Sequence, residues 1–246
     1  MEKVVICVLH LKPLPGSPLF ENMNSVIESA LKDAKAIEEG GADALIVENF
    51  GDKPFLMEAG KETIASMSVI AWEIRKEVGI GLGINVLRND PISALAIAKA
   101  VNADFIRVNQ LFFPSASPEG FLIGNAGEVM RYKRWINCKA MVFADLEVKH
   151  AHHFAEFEEY LINAERSLAD AFILTGKATG MAPNVEKLDI LRKIAPTLAG
   201  SGVTAENAEK IAKHCDGVIV GSYIKEKGEV SAEKVRKIVK IVKNTK

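Results

Sequence analysis

Gly41-Ala42-Asp43-Ala44-Leu45-Ile46-Val47-Glu48-Asn49 reads as a small-residue turn, an aspartate, a short apolar strand and a polar strand end. The same order recurs three times. Asn102-Ala103-Asp104 leads through Phe105-Ile106-Arg107-Val108 to Asn109, and Leu168-Ala169-Asp170 leads through Ala171-Phe172-Ile173-Leu174 to Thr175-Gly176. Cys215-Asp216-Gly217 leads through Val218-Ile219-Val220 to Gly221-Ser222. Successive aspartates are 61, 66 and 46 residues apart, roughly two strand-plus-helix units each. Each interval holds one further strand. The repeats are therefore expected to be the even-numbered strands of a closed eight-stranded parallel (β/α)8 barrel, the TIM-barrel architecture. Active sites in such barrels sit at the C-terminal strand ends, where these repeats turn polar. Asp43, Asp104, Asp170 and Asp216 lie at the opposite end and read as stabilising residues of helix-to-strand turns.

The segments between the repeats fit that frame. A first strand is expected over Val4–His10, a third over Gly81–Leu87, a fifth over Ala140–Val148 and a short seventh over Thr197–Ala199. Asn24 is the expected cap of a first helix to residue 39. Asp90-Pro91 combines a cap with proline at the first helical position, and Thr204 is the expected cap of a helix after the seventh strand. The stretch 110–126, with Pro114, Pro118, Gly120 and Gly124, is expected to be a long loop, and loops of that length are more often functional than idle.

The 246-residue length suits one barrel domain, 1–246, and 48% hydrophobic residues suffice for its core. A net charge of −1 gives no footprint for nucleic acid or an anionic membrane. No apolar run reaches the roughly 20 residues of a membrane span. Cys7, Cys138 and Cys215 are scattered and read as small apolar residues in a reducing compartment. A cytoplasmic protein is expected, with self-association left open.

Two features carry chemistry. Ala199-Gly200-Ser201-Gly202-Val203-Thr204 and Val220-Gly221-Ser222 follow the seventh and eighth strands, where barrels often bind phosphate. Ser201, Gly202, Gly221 and Ser222 are the expected phosphate cradle. The second feature is strand parity. Side chains alternate between lumen and helix layer, and charges are costly in the latter. His10 shares parity with Ile6 and Val8, Glu48 with Ile46, and Arg107 with Asn109. Asp145, Glu147 and Lys149 share parity with Met141 and Phe143. Collected at one rim, these groups suit proton transfer beside a carbonyl, Schiff-base chemistry or glycosidic cleavage. Asp145, Glu48, Lys149 and His10 are the catalytic candidates. Arg107, Asn109, Asn85, Arg88, Asn49, Glu147 and His150 are candidates for substrate binding. Acids on its own strand make Lys149 an ion-paired or substrate-binding lysine in preference to a covalent one. No cofactor is expected. The alternatives are a divalent metal, if His10, Glu48 and Asp145 converge, and FMN, whose phosphate would use the cradle.

Several stretches resemble the BtpA family. They are His10-Leu11-Lys12-Pro13-Leu14-Pro15-Gly16-Ser17-Pro18, Val47-Glu48-Asn49-Phe50-Gly51-Asp52, Asn85-Val86-Leu87-Arg88-Asn89-Asp90, Phe105-Ile106-Arg107-Val108-Asn109, Val148-Lys149-His150-Ala151 and the glycine-serine tail. The resemblance covers almost the whole chain. It implies a phosphate-binding TIM barrel of the ribulose-phosphate-binding kind, in a family that includes a photosystem I biogenesis protein and the SgcQ proteins. Members often carry a His-Thr-Gly-Ala-like stretch after the fourth-strand Arg-Val-Asn. Here Gln110-Leu111-Phe112-Phe113-Pro114 takes its place.

Two readings follow. One is an enzyme acting on a small phosphorylated or nucleoside-like metabolite as a lyase, isomerase or glycosidic-bond-cleaving catalyst. The other is a non-catalytic assembly or stability factor. Charged strand ends favour the enzyme, and the sequence shows no clear exposed apolar stripe of the kind a scaffold needs.

Overall fold

Eight parallel strands close into a barrel in the computed structural model, which describes residues 2–176 and 181–245. They are β1 (Val4–His10), β2 (Ala44–Glu48), β3 (Gly81–Asn85), β4 (Phe105–Val108), β5 (Met141–Leu146), β6 (Ala171–Thr175), β7 (Thr197–Gly200) and β8 (Gly217–Val220). Each strand pairs with its sequence neighbours, and β8 returns to β1 through Val4–Cys7 and Gly217–Val220. Helices follow each strand: α1 (Met23–Glu39), α2 (Lys61–Glu77), α3 (Pro91–Val101), α4 (Ala126–Trp135), α5 (Phe157–Ser167), α6 (Val185–Arg192), α7 (Ala208–Ala212) and α8 (Ala232–Lys243). Among the described residues no helix is long and apolar enough to cross a membrane.

Strand parity divides the apolar residues into two buried layers. Ile6, Val8, Ile46, Phe105, Phe143 and Ile173 belong to the lumen cluster. Val5, Leu45, Ile84, Ile106, Val142 and Phe172 belong to the larger layer between strands and helices. Phe105 and Phe143 stack at 4.7 Å as part of the lumen filling. A Cβ on Gly83 would collide with the Phe105 ring, so that position needs glycine for this packing.

The four repeated aspartates make one bonding pattern. Asp43 accepts the Val5 N–H at 2.7 Å, Asp104 that of Leu82 at 2.8 Å, Asp170 that of Val142 at 2.7 Å, and Asp216 that of Thr197 at 2.9 Å. In return each aspartate donates its own N–H to the carbonyl of that same residue. Every even strand is thus fastened to the odd strand before it. Each carboxylate also meets a cation from the helix that follows the preceding even strand: Arg75 of α2 with Asp104, Lys133 of α4 with Asp170, Arg192 of α6 with Asp216, and Lys243 of α8 with Asp43.

Several expected boundaries shift for local reasons. Asn22, not Asn24, caps α1, with extended backbone and Oδ1 accepting the Ser25 N–H. Thr204 is not a side-chain cap. Its carbonyl accepts the N–H groups of Asn207 and Ala208, and Asn207 Oδ1 accepts its N–H, so a turn precedes α7. The third strand stops at Asn85 and the fourth at Val108. The fifth stops at Leu146 because Glu147 adopts a left-handed backbone, φ 52°. The segment 110–126 contains a hairpin, Pro114–Ser117 against Gly120–Ile123, with His152–His153 pairing along its other side. Gln110 anchors it. Its Nε2 donates to the Phe112 and Phe113 carbonyls and the Tyr160 hydroxyl, and its Oε1 accepts from Ser115. This sheet brings exposed Phe121 beside exposed Phe154, the two rings 6.2 Å apart, with exposed Ile123 two residues along the same strand as Phe121. Pairing of distant segments creates that apolar patch, which a stripe search along the sequence cannot find.

The carboxylate-to-backbone bond should matter more than the half-exposed cation, because surface ion pairs contribute about 0–1 kcal/mol and hydrogen bonds to charged groups about 1.5–3 kcal/mol. Asp170→Ala is expected to cost about 1.5–3 kcal/mol in urea unfolding, and Lys133→Ala under about 1 kcal/mol. Equal losses would refute the ranking.

Candidate functional site

At the C-terminal rim, His10, Glu48 and Asn85 occupy register-matched positions on β1, β2 and β3. Arg107, two residues beyond the lumen residue Phe105, is buried with Asp145, two beyond Phe143. The Arg107 guanidinium donates Nε to Asp145 Oδ1 at 2.9 Å and Nη2 to Oδ2 at 2.8 Å. Such bidentate pairing fixes the plane of both groups. Asn109 adds an Nδ2 donor to Asp145 at 3.2 Å, and Asn85 donates to Asn109 Oδ1 and to the Arg107 carbonyl. The Asn85 Oδ1 is buried without a hydrogen-bond partner among the described residues. Arg107 Nη1 then stands 3.9 Å from Glu48 Oε2, and His10 Nε2 stands 3.5 Å from Glu48 Oε1.

Burial governs the protonation of this set. It raises the Glu48 carboxyl above its usual range, against the opposing pull of Arg107 and Lys149. It pushes His10 down to about 3, helped by Lys225, Lys149, Arg107 and Lys53. Burial also lowers Lys149, with Arg107 acting in the same direction. Burial works against the Arg107 charge too, but Asp145 and Glu48 outweigh it and the guanidinium is held more firmly protonated. Among the described residues the Lys149 ammonium has no ion-pair partner, and only its carbonyl is bonded, to Arg88. The acids expected to pair with it are engaged elsewhere: Asp145 with Arg107, and Glu147 with Lys187 at 2.6 Å.

His10, Glu48, Arg107 and Lys149 line a cavity of about 270 Å³ together with Ser201–Thr204 and Gly221–Tyr223. The expected cradle and the expected charged rim thus share one space. Ser201 and Gly202 both have left-handed backbone, φ 65° and 63°, and a Cβ on Gly202 would collide with the Met181 backbone. A Cβ on Gly221 would meet His10 Cε1 at 3.2 Å. The Ser201 hydroxyl is engaged in its own loop, accepting from the Gly176 N–H and donating to the Met181 carbonyl. Ser222 opens one 3-10 turn, Ser222–Ile224.

Other candidates lie apart. Asn49 faces away from the lumen and holds the next loop, its Oδ1 accepting the Leu87 N–H and its Nδ2 donating to Asp52. Glu147 is turned toward Lys187 by its left-handed backbone. Arg88 donates to Glu119 and to the Lys149 carbonyl, and with His150 it lines an adjoining cavity. Among the described residues no three His, Cys, Asp or Glu side chains converge as a metal site. Sequence reasoning missed Tyr223 and Val203 in the cavity wall and Phe50, which stacks on His10 at 4.3 Å. An aromatic two residues past a strand-end glutamate is the only signal that pointed to Phe50.

The BtpA family description matches residues 1–244. A protein of Archaeoglobus fulgidus is 66% identical over 245 residues, covering 99% of this chain and all of its own. The photosystem I biogenesis protein BtpA of Synechocystis sp. is 40% identical over 92% of this chain and 82% of its own length. In architecture, (S)-3-O-geranylgeranylglyceryl phosphate synthase from Thermoplasma acidophilum, solved with its substrate sn-glycerol-1-phosphate, superposes with a TM-score of 0.64. It is 16% identical, over 98% of this chain and 94% of its own. The chain belongs to the BtpA family, on a TIM barrel.

Two stability measurements test the rim. Asp145→Ala strands a buried guanidinium and is expected to cost about 3–5 kcal/mol; a loss under about 1 kcal/mol would mean the pair is not the organiser. His10 titrates in the fold at about 3 against an ordinary 6.5. The unfolded chain therefore takes up that proton first, and stability falls as pH drops below 6.5 toward 3. His10→Asn should flatten that limb of the pH–stability curve. An unchanged curve would contradict the assignment.

Proposed function

We propose that this BtpA-family barrel is an enzyme that transfers a proton on a small phosphorylated metabolite, as an isomerase or lyase does. The observation that carries this reading is the single cavity lined both by a glycine-rich backbone cradle and by Glu48, His10, Arg107 and Lys149. The backbone N–H groups around Gly202 and Gly221 would hold the phosphate. Glu48, whose burial favours its neutral form, is the group suited to give and take a proton near neutral pH. Its neighbour His10 stays uncharged. Arg107 and Lys149 supply positive charge for an oxyanion developing beside Glu48. Asp145 acts through Arg107 and is a positioning residue. One carboxylate in this cavity, with Asp145 engaged by Arg107, suits proton transfer better than the paired-carboxylate arrangement of most glycosidic cleavage.

A second reading, a non-catalytic assembly factor, draws on the name of the Synechocystis relative and on the exposed patch of Phe121, Ile123 and Phe154.

Inorganic phosphate and sugar monophosphates are expected to raise the melting temperature of the wild type. Gly221→Val, which fills the space against His10, should remove that rise, and Ser222→Ala should reduce it. Incubation of monophosphorylated aldoses and ketoses in D2O, followed by NMR, should show hydrogen exchange beside the carbonyl. Glu48→Gln should slow this about 100-fold or more. If no phosphorylated compound shifts the wild-type melt and Phe121→Glu alters self-association, the assembly reading replaces the enzymatic one.

A further inference from the structure

Glu48, Arg107 and Lys149 line a second cavity as well as the first. It holds about 300 Å³, and its walls include Phe50, Phe55, Leu87 and Pro118. The first cavity, at about 270 Å³, falls just below the roughly 300–1,000 Å³ of ordinary ligand sites. Joined through the three shared residues, the two fall well within it. The two ends differ in character. The cradle end presents glycine and serine backbone. The far end presents aromatic and proline surface with charges of both signs at its margin, Lys53, Arg88 and Glu119: Lys53 stands 4.1 Å over the Phe50 ring, and Phe50 lies 6.3 Å from Phe55 at 50°. Phe50 has His10 stacked on it, which leaves Phe55, tilted away from it, as the ring better placed to receive a partner.

We propose that the second cavity is a ring subsite, so that the substrate is two-ended: a phosphate monoester at the cradle and a flat unsaturated ring against Phe55, with the reacting atoms between them beside Glu48 and Lys149. This inference rests on the phosphate reading above for one of its two ends. The ring end stands on its own observations. Apolar and aromatic walls recognise a planar heterocycle by its faces, stacking that tolerates many rings. A small sugar phosphate alone would leave that apolar surface bare.

Titration calorimetry with inorganic phosphate, ribose 5-phosphate, adenosine 5′-monophosphate, uridine 5′-monophosphate and unphosphorylated adenosine separates the two ends. The mononucleotides are expected to bind about tenfold or more tighter than ribose 5-phosphate, in line with stacking on an aromatic side chain. Phe55→Ala should erase that gain and leave ribose 5-phosphate affinity within about twofold, and Phe55→Trp should keep the gain. Equal affinity of ribose 5-phosphate and both mononucleotides overturns the ring subsite and leaves the phosphate reading intact. Phe55-dependent binding of adenosine without any binding of phosphate or ribose 5-phosphate does the reverse. A ring-dependent gain that survives Phe55→Ala places the ring elsewhere and overturns the proposal, as does binding of none of the five.

Discussion

The buried pair of Arg107 and Asp145 is the constraint around which the rim is organised. Neither charge could be held inside the lumen alone, since an unpaired buried ion costs several kcal/mol. Together they lock each other's plane through two parallel bonds, and Asn109 and Asn85 extend the lock across β3 and β4. The consequence is that Asp145 is spent on geometry and Arg107 is fixed in place at the cavity wall. What remains available at the cavity is Glu48, held near a guanidinium that cannot move, and Lys149, whose ordinary partners are engaged elsewhere. A rim that looked like a surplus of charges in the sequence becomes a short set with distinct assignments.

The barrel's two ends divide the work. At the N-terminal end, carboxylates bond to backbone and to half-exposed cations and hold strand to strand. At the C-terminal end, Glu48 sits buried in the lumen, where the same chemical group responds to burial by favouring its neutral form. Burial and a partner held at 3.9 Å, not directly bonded, set Glu48 apart from the fastening aspartates.

Much of this was legible in the chain. The fold followed from four copies of a turn-aspartate-strand pattern, because a parallel barrel imposes a fixed direction and period on every unit. Parity placed His10, Glu48, Arg107 and Asp145 in the lumen correctly, since strand alternation is strict. It failed at Glu147, where one left-handed residue ends the alternation. Lys149 reaches the cavity as parity expects, but its ammonium does not pair with the acids of its own strand, because pairing across strands decides which acid meets which base. Asn49, adjacent in sequence to Glu48, points to the other side of the sheet and holds the next loop. The hairpin in 110–126 and its apolar face depend on His152–His153 arriving from another loop, and nothing local encodes that meeting.

The aspartate fastenings have a further meaning. Each cation comes from one quarter of the barrel and its aspartate from the next, and the series closes when Lys243 of α8 reaches Asp43 ahead of β2. Seen down the barrel axis, the arrangement is a ring of four equivalent clasps. The crossing from α8 to β1 is one link among equals. The molecule is, in this respect, a circular object written as a line. A chain opened at a different quarter and rejoined at α8 and β1 would carry the same four clasps in the same order.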